Sequence, residues 1–425
     1  MRFRLLALAV WLAGAFPHAD AQSTTESRSL SLNEAMQLAE AASPVVLARE
    51  AQLAAAEGNR REATSPLFNN PELSFERTRR RADAPDGRAN EWSAGVSQPI
   101  EIAGQQARRR EAAAATLDAL RAEVEALRRQ ARSDAALRLH AVLAAERRTQ
   151  IEQRSVELFD ATARAVAKRR EAGEDTRLDA NVALIEAERA RNALASAHER
   201  LIDARGELAA LLQLPPASMP AVRGELEGPA GEAPPYALDS LLDSAASLPS
   251  QRSLTLREDA ARARLELERA RRYPDLTVGL NVGREGPGSA RERVTTIGVS
   301  VPLPLFKRND AAIGQALTEA TQAGIERATF TRNAQAQVRL LWHRLASQRD
   351  RVLRLQRAML PASLDNRQLA AKSRQAGQIG LLDQLIVNRQ ALDAERDLND
   401  ALAEYHATRI ELENAAGWPQ EGIAR

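Results

Sequence analysis

The sequence predicts a mainly helical protein with a smaller β part, built as two tandem repeats. Long runs of the chain consist of Ala, Leu, Arg, Glu and Gln, which are strong helix formers, and these runs exceed the usual length of a globular helix. Two pairs of short segments instead alternate apolar with polar residues, as β-strands do. Both kinds of segment recur in the second half of the chain at a nearly constant separation, which indicates a repeat.

Composition excludes several classes of protein. Only 3% of the 425 residues are aromatic, so we do not expect a thick core filled by large side chains. The 59 basic and 57 acidic residues leave a net charge of +2, and we therefore expect no nucleic-acid partner. Because the chain has no cysteine, it can form no disulfide, no thiolate zinc site and no lipid-modified N-terminal cysteine.

The N-terminus has the pattern of a cleaved secretory signal, which we assign to residues 1–21. Arg2 and Arg4 precede an apolar stretch from Leu5 to Phe16, and Ala19-Asp20-Ala21 fits a small-x-small cleavage pattern. A retained membrane anchor is the alternative, but the apolar stretch is shorter than the roughly 20 residues of a spanning helix. The pattern predicts that the mature chain leaves the cytoplasm.

The first repeat is assigned to residues 22–213. Between Gln105 and Glu171 the chain has no Pro and no Gly, and one helix over this segment would be about 100 Å long. Apolar residues at spacings of three and four predict coiled-coil seams, with an ordinary helical bundle as the alternative. The predicted elements are strands at about 71–79 and 90–100 and a helical hairpin at about 104–213.

The second repeat is assigned to residues 236–425, after a Pro-rich linker at residues 214–235. Its predicted elements are strands at about 273–284 and 292–303 and a helical hairpin at about 307–416. The two strand motifs each recur after 203 positions, and the turn motif recurs after 204. The matched motifs are Pro71-Glu72-Leu73-Ser74 with Pro274-Asp275-Leu276-Thr277, Gly95-Val96-Ser97 with Gly298-Val299-Ser300, and Ala172-Gly173 with Ala376-Gly377.

A proline lies inside the second long helical segment. Pro361 removes a backbone donor, so we predict a kink or an interruption there. We also expect an equatorial band at this level, made with the termini and the linker. The first long helix has no matching proline, so the two halves need not bend alike.

The four strands leave two interpretations open. Strands of about ten residues are long enough to cross an outer membrane when they are tilted. Four strands cannot close a barrel, since the smallest have about eight, and open edges leave backbone groups unpaired in lipid. Either several chains share one barrel, or the strands form two soluble hairpins that cap a helical rod.

Several motifs together resemble one known family, the outer membrane factors or TolC family, from about Ser31 to Trp418. Within the family, the segment that leads into Gly104 and Arg108 most resembles the CzcC branch, which serves heavy-metal efflux. The motifs are Leu30-Ser31-Leu32-Asn33-Glu34-Ala35, Asn70-Pro71-Glu72-Leu73, Val96-Ser97-Gln98-Pro99-Ile100-Glu101, and the paired Ala-Gly turns with Leu178-Asp179 and Leu382-Asp383.

The resemblance implies a homotrimer in the outer membrane of a Gram-negative cell. Three chains would give four strands each to a 12-stranded barrel, continued by a long α-helical barrel in the periplasm. The implied partners are a periplasmic adaptor protein, an inner-membrane RND pump and outer-membrane lipid. The implied function is a passive conduit for exported solutes, with heavy-metal cations as the candidate cargo. The alternative is a periplasmic adaptor or a structural helical-hairpin protein of an export complex.

The candidate sites are the two turns that end the long helices. The resemblance assigns adaptor docking to these tips, and Gly supplies the left-handed stop that a helical hairpin also needs. We expect an acidic periplasmic gate beside them, with threefold copies of Asp383 attracting cations, and helix capping alone is the alternative explanation of the carboxylates. The tip residues are Ala172, Gly173, Glu174, Ala376, Gly377 and Gln378, and the gate residues are Asp175, Asp179, Asp383 and Gln384.

The sequence offers no candidate for catalysis. The five histidines are scattered singly, and no nucleophile turn, phosphate loop or dinucleotide fingerprint is present. We therefore expect no enzyme activity, no cofactor and no dedicated metal site. Some family members carry a second Asp three residues after the position of Asp383, where this chain has Ile386, which argues against a strong acidic gate.

Overall fold

The computed structural model describes residues 29–81, 88–215, 219–229, 231, 236–286 and 291–418. The signal peptide predicted at residues 1–21 lies outside these ranges, as does part of the linker predicted at 214–235. Within them the elements are α1 (Leu32–Ala42), α2 (Pro44–Ala63), β1 (Glu72–Arg81), β2 (Arg88–Ile100), α3 (Gln105–Glu171), α4 (Arg177–Leu211), α5 (Leu238–Ala245), α6 (Pro249–Ala270), β3 (Leu276–Glu285), β4 (Glu292–Ser300), α7 (Asp310–Arg354), a π-helical turn (Leu355–Met359), α8 (Leu360–Gln375) and α9 (Leu381–Ala415).

The four strands form one antiparallel sheet in the order β1-β2-β3-β4. Apolar and polar residues alternate along the strands, and neighbouring side chains point to opposite sides of a sheet. The two faces of the sheet therefore differ. One face is apolar over most of its height, whereas the other carries small and polar residues such as Ser97, Gly279 and Gly298. In the described part of the chain, β1 and β4 each pair on one side only, so the sheet has two open edges.

The two hairpins of the sheet differ in register by two residues. Leu73 pairs with Val96 in the first hairpin, and its repeat equivalent, Leu276, would pair with Val299. Val299 pairs with Val278 instead. The register difference is accommodated between the strands and the long helices. Gly104 and Asn309 precede α3 and α7 as their N-cap residues, and both lie in the left-handed region, with φ of 76° and 61°. They are 205 positions apart, two more than the strand motifs.

The helices form a layer that is one helix thick. α3 contains 67 residues and runs the whole length of the layer. At the strand end it packs between α2 and α6, and α7 lies beyond α6. At the opposite end it packs between α4 and α9, and α8 lies beyond α9. Above and below the equator, the described chain is therefore four elements wide, and the outermost element on either side has no further neighbour in the layer among the described elements.

The middle of the layer holds the largest buried cluster and matches the predicted equatorial band. Residues near Leu30 form a short parallel contact with the linker, where the Leu30 amide donates to Ala221 (2.8 Å) and the Arg223 amide donates to Leu30 (2.8 Å). α1 and α5 pack over the same region. Fully buried members of the cluster include Ala35, Leu139, Leu208, Leu241, Leu341, Leu345, Ile410 and Leu412.

The predicted interruption at Pro361 is confirmed. The second long helix changes to a π-helical turn at Leu355–Met359, directly before the proline. Because Pro361 has no N–H, the backbone upstream rearranges, and the amide of Leu360 donates to the carbonyl of Leu355, five residues back. Among the described helices, none is both long and apolar enough to span a membrane.

Two buried histidines stack at the equator. The rings of His140 and His406 have centroids 5.1 Å apart and an interplanar angle of 27°. His406 lies 2.9 Å from the carbonyl oxygen of Glu227 in the linker, so this pair connects α3, α9 and the linker. Burial, with further contributions from His140 and Arg409, lowers the pKa of His406 to about 4. Burial also lowers the pKa of His140.

We predict that acid weakens the equatorial band through His406. The pKa of this ring is about 4 in the folded chain and 6.5 in its unperturbed state. The unfolded chain therefore binds the proton first, and the free energy of unfolding falls as the pH drops from 6.5 toward 4. Urea unfolding at pH 7.5 and pH 5 measures this loss, which His406→Gln should reduce. The exposed His198→Gln control should not, and an equal pH dependence in all three proteins would contradict the prediction.

Candidate functional site

The two hairpin tips have the same backbone geometry. In the first tip, α3 ends where the amides of Gly173 and Glu174 donate to Arg170 (3.0 Å) and Arg169 (2.9 Å). In the second, the amide of Gln378 donates to Ser373 (2.8 Å). Gly173 and Gly377 have φ of 79° and 72°, a conformation that a side chain disfavours. Glycine therefore allows each long helix to stop and reverse within a few residues.

All six predicted docking residues are exposed at these tips. They form two small, convex surfaces at the end of the layer farthest from the sheet. Each surface continues onto an exposed apolar side chain at the start of the returning helix, Leu178 in α4 and Leu382 in α9. The exposed tip residues are Ala172, Gly173, Glu174, Ala376, Gly377 and Gln378.

Asp179 and Asp383 both serve as helix caps. The amide and the hydroxyl of Thr176 donate to Asp179 (3.0 Å and 2.6 Å), and the Asp179 amide donates back to the Thr176 hydroxyl (3.1 Å). These bonds lower the pKa of the Asp179 carboxyl. In α9, the amide of Gly380 donates to Asp383 (3.1 Å). The capping role is therefore present at both positions, and Asp383 is also exposed.

Asp175 has a different role from the other predicted gate residues. Its side chain is only 5% exposed, and Arg374 of α8 donates to it at 2.8 Å. Arg169 of α3 lies 3.2 Å from its second oxygen. Arg374 also donates to the carbonyl of Ile379 in the second tip (3.4 Å). We name this group of Arg169, Asp175 and Arg374 the tip clasp, because it joins the two hairpin tips within one chain.

Arg374 and Arg169 were not among the site residues predicted from the sequence. A signal for them exists in the difference between the two tips, because Glu174 and Asp175 are acidic where the second tip has Gln378 and Ile379. An extra carboxylate beside a basic helix end predicts an ion pair. The structure does not bring the remaining gate residues into the clasp: Asp179 and Asp383 cap separate helices, and Gln384 is half-buried in the first turn of α9.

No group of three or more His, Asp or Glu side chains is arranged to hold a metal ion within the described ranges. Buried carboxylates there are paired with arginines instead. Glu152 accepts from Arg148 (2.7 Å) and from Arg396 (2.9 Å), and these two arginines hold the pKa of Glu152 down against the opposing effect of burial. Such pairs join helices and leave no free donor set for a cation.

Comparison with known proteins gives a relative over most of the chain. The family model described as outer membrane efflux protein matches residues 35–213 and, separately, residues 241–418. The cobalt-zinc-cadmium resistance protein CzcC of Cupriavidus metallidurans is 28% identical over 382 residues, which cover 88% of this chain and 85% of that protein. The two matches of the family model agree with the two predicted repeats.

Solved structures share the fold at lower identity. The outer membrane protein VceC of Vibrio cholerae superposes with a TM-score of 0.75 at 19% identity, covering 91% of this chain and 96% of VceC. CusC gives a TM-score of 0.74 at 17% identity and 91% coverage of both chains. The MtrE outer membrane channel of Neisseria gonorrhoeae also gives 0.74 at 17% identity, covering 91% and 88%. The chain belongs to the outer membrane efflux protein family.

Proposed function

We propose that this chain is one of three subunits of an outer membrane channel that exports solutes. The observation that carries the proposal is the pair of open edges that the described residues leave on the sheet and on the helical layer. The sheet is open at β1 and β4, and the helical layer is open at α2 and α7 near the sheet and at α4 and α8 near the tips. Three copies placed edge to edge would close both the sheet and the helical layer into 12-membered barrels.

Exposed apolar side chains support this assembly. Large exposed hydrophobic residues on a soluble monomer usually mark an interaction surface. Here many of them lie on the four helices at the open edges, where neighbouring subunits would cover them. They are Val45 and Leu47 on α2, Leu184, Ile185 and Ile202 on α4, Leu317, Ile325 and Leu340 on α7, and Leu369 on α8.

The apolar face of the sheet supports placement in the outer membrane, with the helices in the periplasm. Leu73, Phe75 and Ile297 on this face are 86%, 71% and 76% exposed. Lipid would cover them, while the polar face with Ser97 and Gly279 would line the pore. We further propose that the tips dock onto a periplasmic adaptor protein and that an inner-membrane RND pump supplies the energy for export. In this arrangement the channel performs no catalysis.

For the cargo we propose divalent heavy-metal cations. The relative CzcC is described as a cobalt-zinc-cadmium resistance protein. In this chain arginines already neutralise the buried carboxylates, such as Glu152, so these groups would not trap a passing cation. A trimer would place three copies of the exposed Asp383 near the periplasmic mouth.

Two measurements test the proposed function. Detergent extracts of the outer membrane fraction should contain the mature chain at three times its monomer mass by light scattering. A deletion strain should become sensitive to cobalt, zinc or cadmium, and the wild-type gene should restore resistance. A water-soluble monomer in the periplasmic fraction would contradict the channel. Sensitivity to antibiotics alone would retain the channel and refute the metal cargo.

The tips allow a test of adaptor docking. Gly377→Val places a β-branched residue at φ of 72°, where backbone strain costs about 1–3 kcal/mol, and it should distort the second tip. We expect trimers of normal stability with most export lost. Gly206→Val is the control, since a Cβ at Gly206 in α4 meets no atom within 4 Å. Normal export by Gly377→Val would show that tip geometry is not needed for docking.

The tip clasp is proposed to hold the periplasmic mouth closed. Asp175→Asn removes the charge that pairs with Arg374 and Arg169, so single-channel recordings of reconstituted trimers should show a higher open probability, and Arg374→Gln should act in the same direction. Asp179→Asn keeps a capping oxygen and leaves the clasp intact, so its gating should match the wild type. Wild-type gating in both clasp variants would refute the clasp as a gate.

Asp383→Asn should lower the preference of the reconstituted channel for cations.

A further inference from the structure

The apolar face of the sheet ends in a row of arginines. Directly paired residues on neighbouring antiparallel strands share a face. Arg77 pairs with Trp92, Trp92 pairs with Arg284, and Arg284 pairs with Arg293, so the row crosses all four strands. The three arginines are exposed, and Trp92 is 40% exposed. We name these four residues the arginine row.

The apolar band lies directly below this row on the same face. The pairing continues as Phe75, Ala94, Val282 and Thr295, and then as Leu73, Val96, Leu280 and Ile297. Along β3, Leu276 at the bottom of the band is eight residues from Arg284. Eight residues span about 27 Å along a strand, or about 20 Å across a membrane at the usual tilt. The arginine row therefore lies about 20 Å from the ends of the strands that lead into the helices, against an apolar band of roughly 25 Å on outer-membrane barrels.

Charges in the described strands are sorted by face. Arg79 and Arg81 extend β1 beyond the arginine row on the same face, and that face carries no carboxylate in the described strands. Arg80 is on the opposite face and lies 3.3 Å from Glu91. The carboxylates of the strands, all on that opposite face, are Glu72, Glu76, Glu91, Glu285 and Glu292.

These guanidinium groups, which share their face with no carboxylate of the described strands, lie above an apolar band, and this combination fits one kind of ligand. Guanidinium binds phosphate through two parallel N–H···O bonds, and an aromatic ring such as Trp92 is typical of a membrane interface. A soluble anion would use the arginines alone and leave the band uncovered. An anionic lipid uses both, because its acyl chains cover the band while its phosphates reach the arginines.

We propose that the arginine row binds the phosphate groups of a phosphorylated glycolipid in the outer leaflet. The inference rests on the proposed function, since it requires the sheet to lie in the outer membrane with the helices on the periplasmic side. With three copies in a trimer, the row would form a basic ring around the barrel. The ring fixes the depth of the barrel by placing phosphate at one end of the apolar band.

The experiment uses purified wild-type trimers and two probes. One probe is lipid A with both phosphates, and the other is the dephosphorylated lipid with the same acyl chains. Native mass spectrometry should show a preference of about tenfold or more for the phosphorylated lipid, and the preference should decrease with salt. Equal binding of both lipids by the wild type would overturn the proposal. The proposal would also be overturned if wild-type trimers bound inorganic phosphate as well as they bind the phosphorylated lipid.

Variants locate the site on the sheet. The combined substitutions Arg77→Gln, Arg284→Gln and Arg293→Gln should abolish the preference. Arg80→Gln removes one arginine from β1 on the opposite face and should keep it, and loss of preference in this control would overturn the proposal. If the triple variant forms no trimers, Arg293→Gln alone should still lower the preference relative to Arg80→Gln, and no difference between these two would count against the site.

Pore conductance separates this inference from the proposed function. Trimers that conduct normally without a preference for phosphate would refute the lipid site and leave the channel in place. A chain that forms neither trimers nor pores would refute both.

Discussion

Backbone hydrogen bonding at the two edges of the sheet constrains the rest of this molecule. β1 and β4 each present a row of N–H and C=O groups with no strand beside them in the described chain. In lipid, each unpaired group costs several kcal/mol. One chain cannot meet this requirement because four strands are too few to close. The helical layer has a similar constraint in water, because exposed apolar residues on its edge helices favour burial against another surface.

The two repeats share an architecture and differ in detail. Both contribute a strand pair and a long hairpin, and their tips match in backbone geometry. Three differences stand out: a two-residue shift in strand register between the two hairpins, a π-helical turn before Pro361 in the second repeat, and the tip clasp, which joins the two halves. A threefold assembly of such chains would have six similar sectors but only three clasps. Under the proposed gate, an opening motion would break the clasps while the contacts between subunits keep the barrel together.

Much of the fold was predictable from local patterns, and much of the candidate site was not. Alternation at Leu73 and Phe75, and the absence of Pro and Gly across α3, act over neighbouring residues and are visible in the sequence. The tip glycines were identified for the same reason. The pairing of Asp175 with Arg374 was missed because it joins residues 199 positions apart, and nothing local encodes their distance. The His140–His406 stack and the register shift are likewise set by packing between distant segments.

The central claim is that β1 of one subunit pairs with β4 of the next. Because the chain has no cysteine, a pair of introduced cysteines reports this contact without background. Phe75→Cys on β1 would be combined in turn with a cysteine at each position from 294 to 300 on β4 and oxidised in intact outer membranes. Within one chain β1 and β4 lie at opposite edges of the sheet, too far apart for a disulfide. We expect covalent dimers and trimers at one or two neighbouring β4 positions, whereas monomers at every position would contradict pairing between subunits.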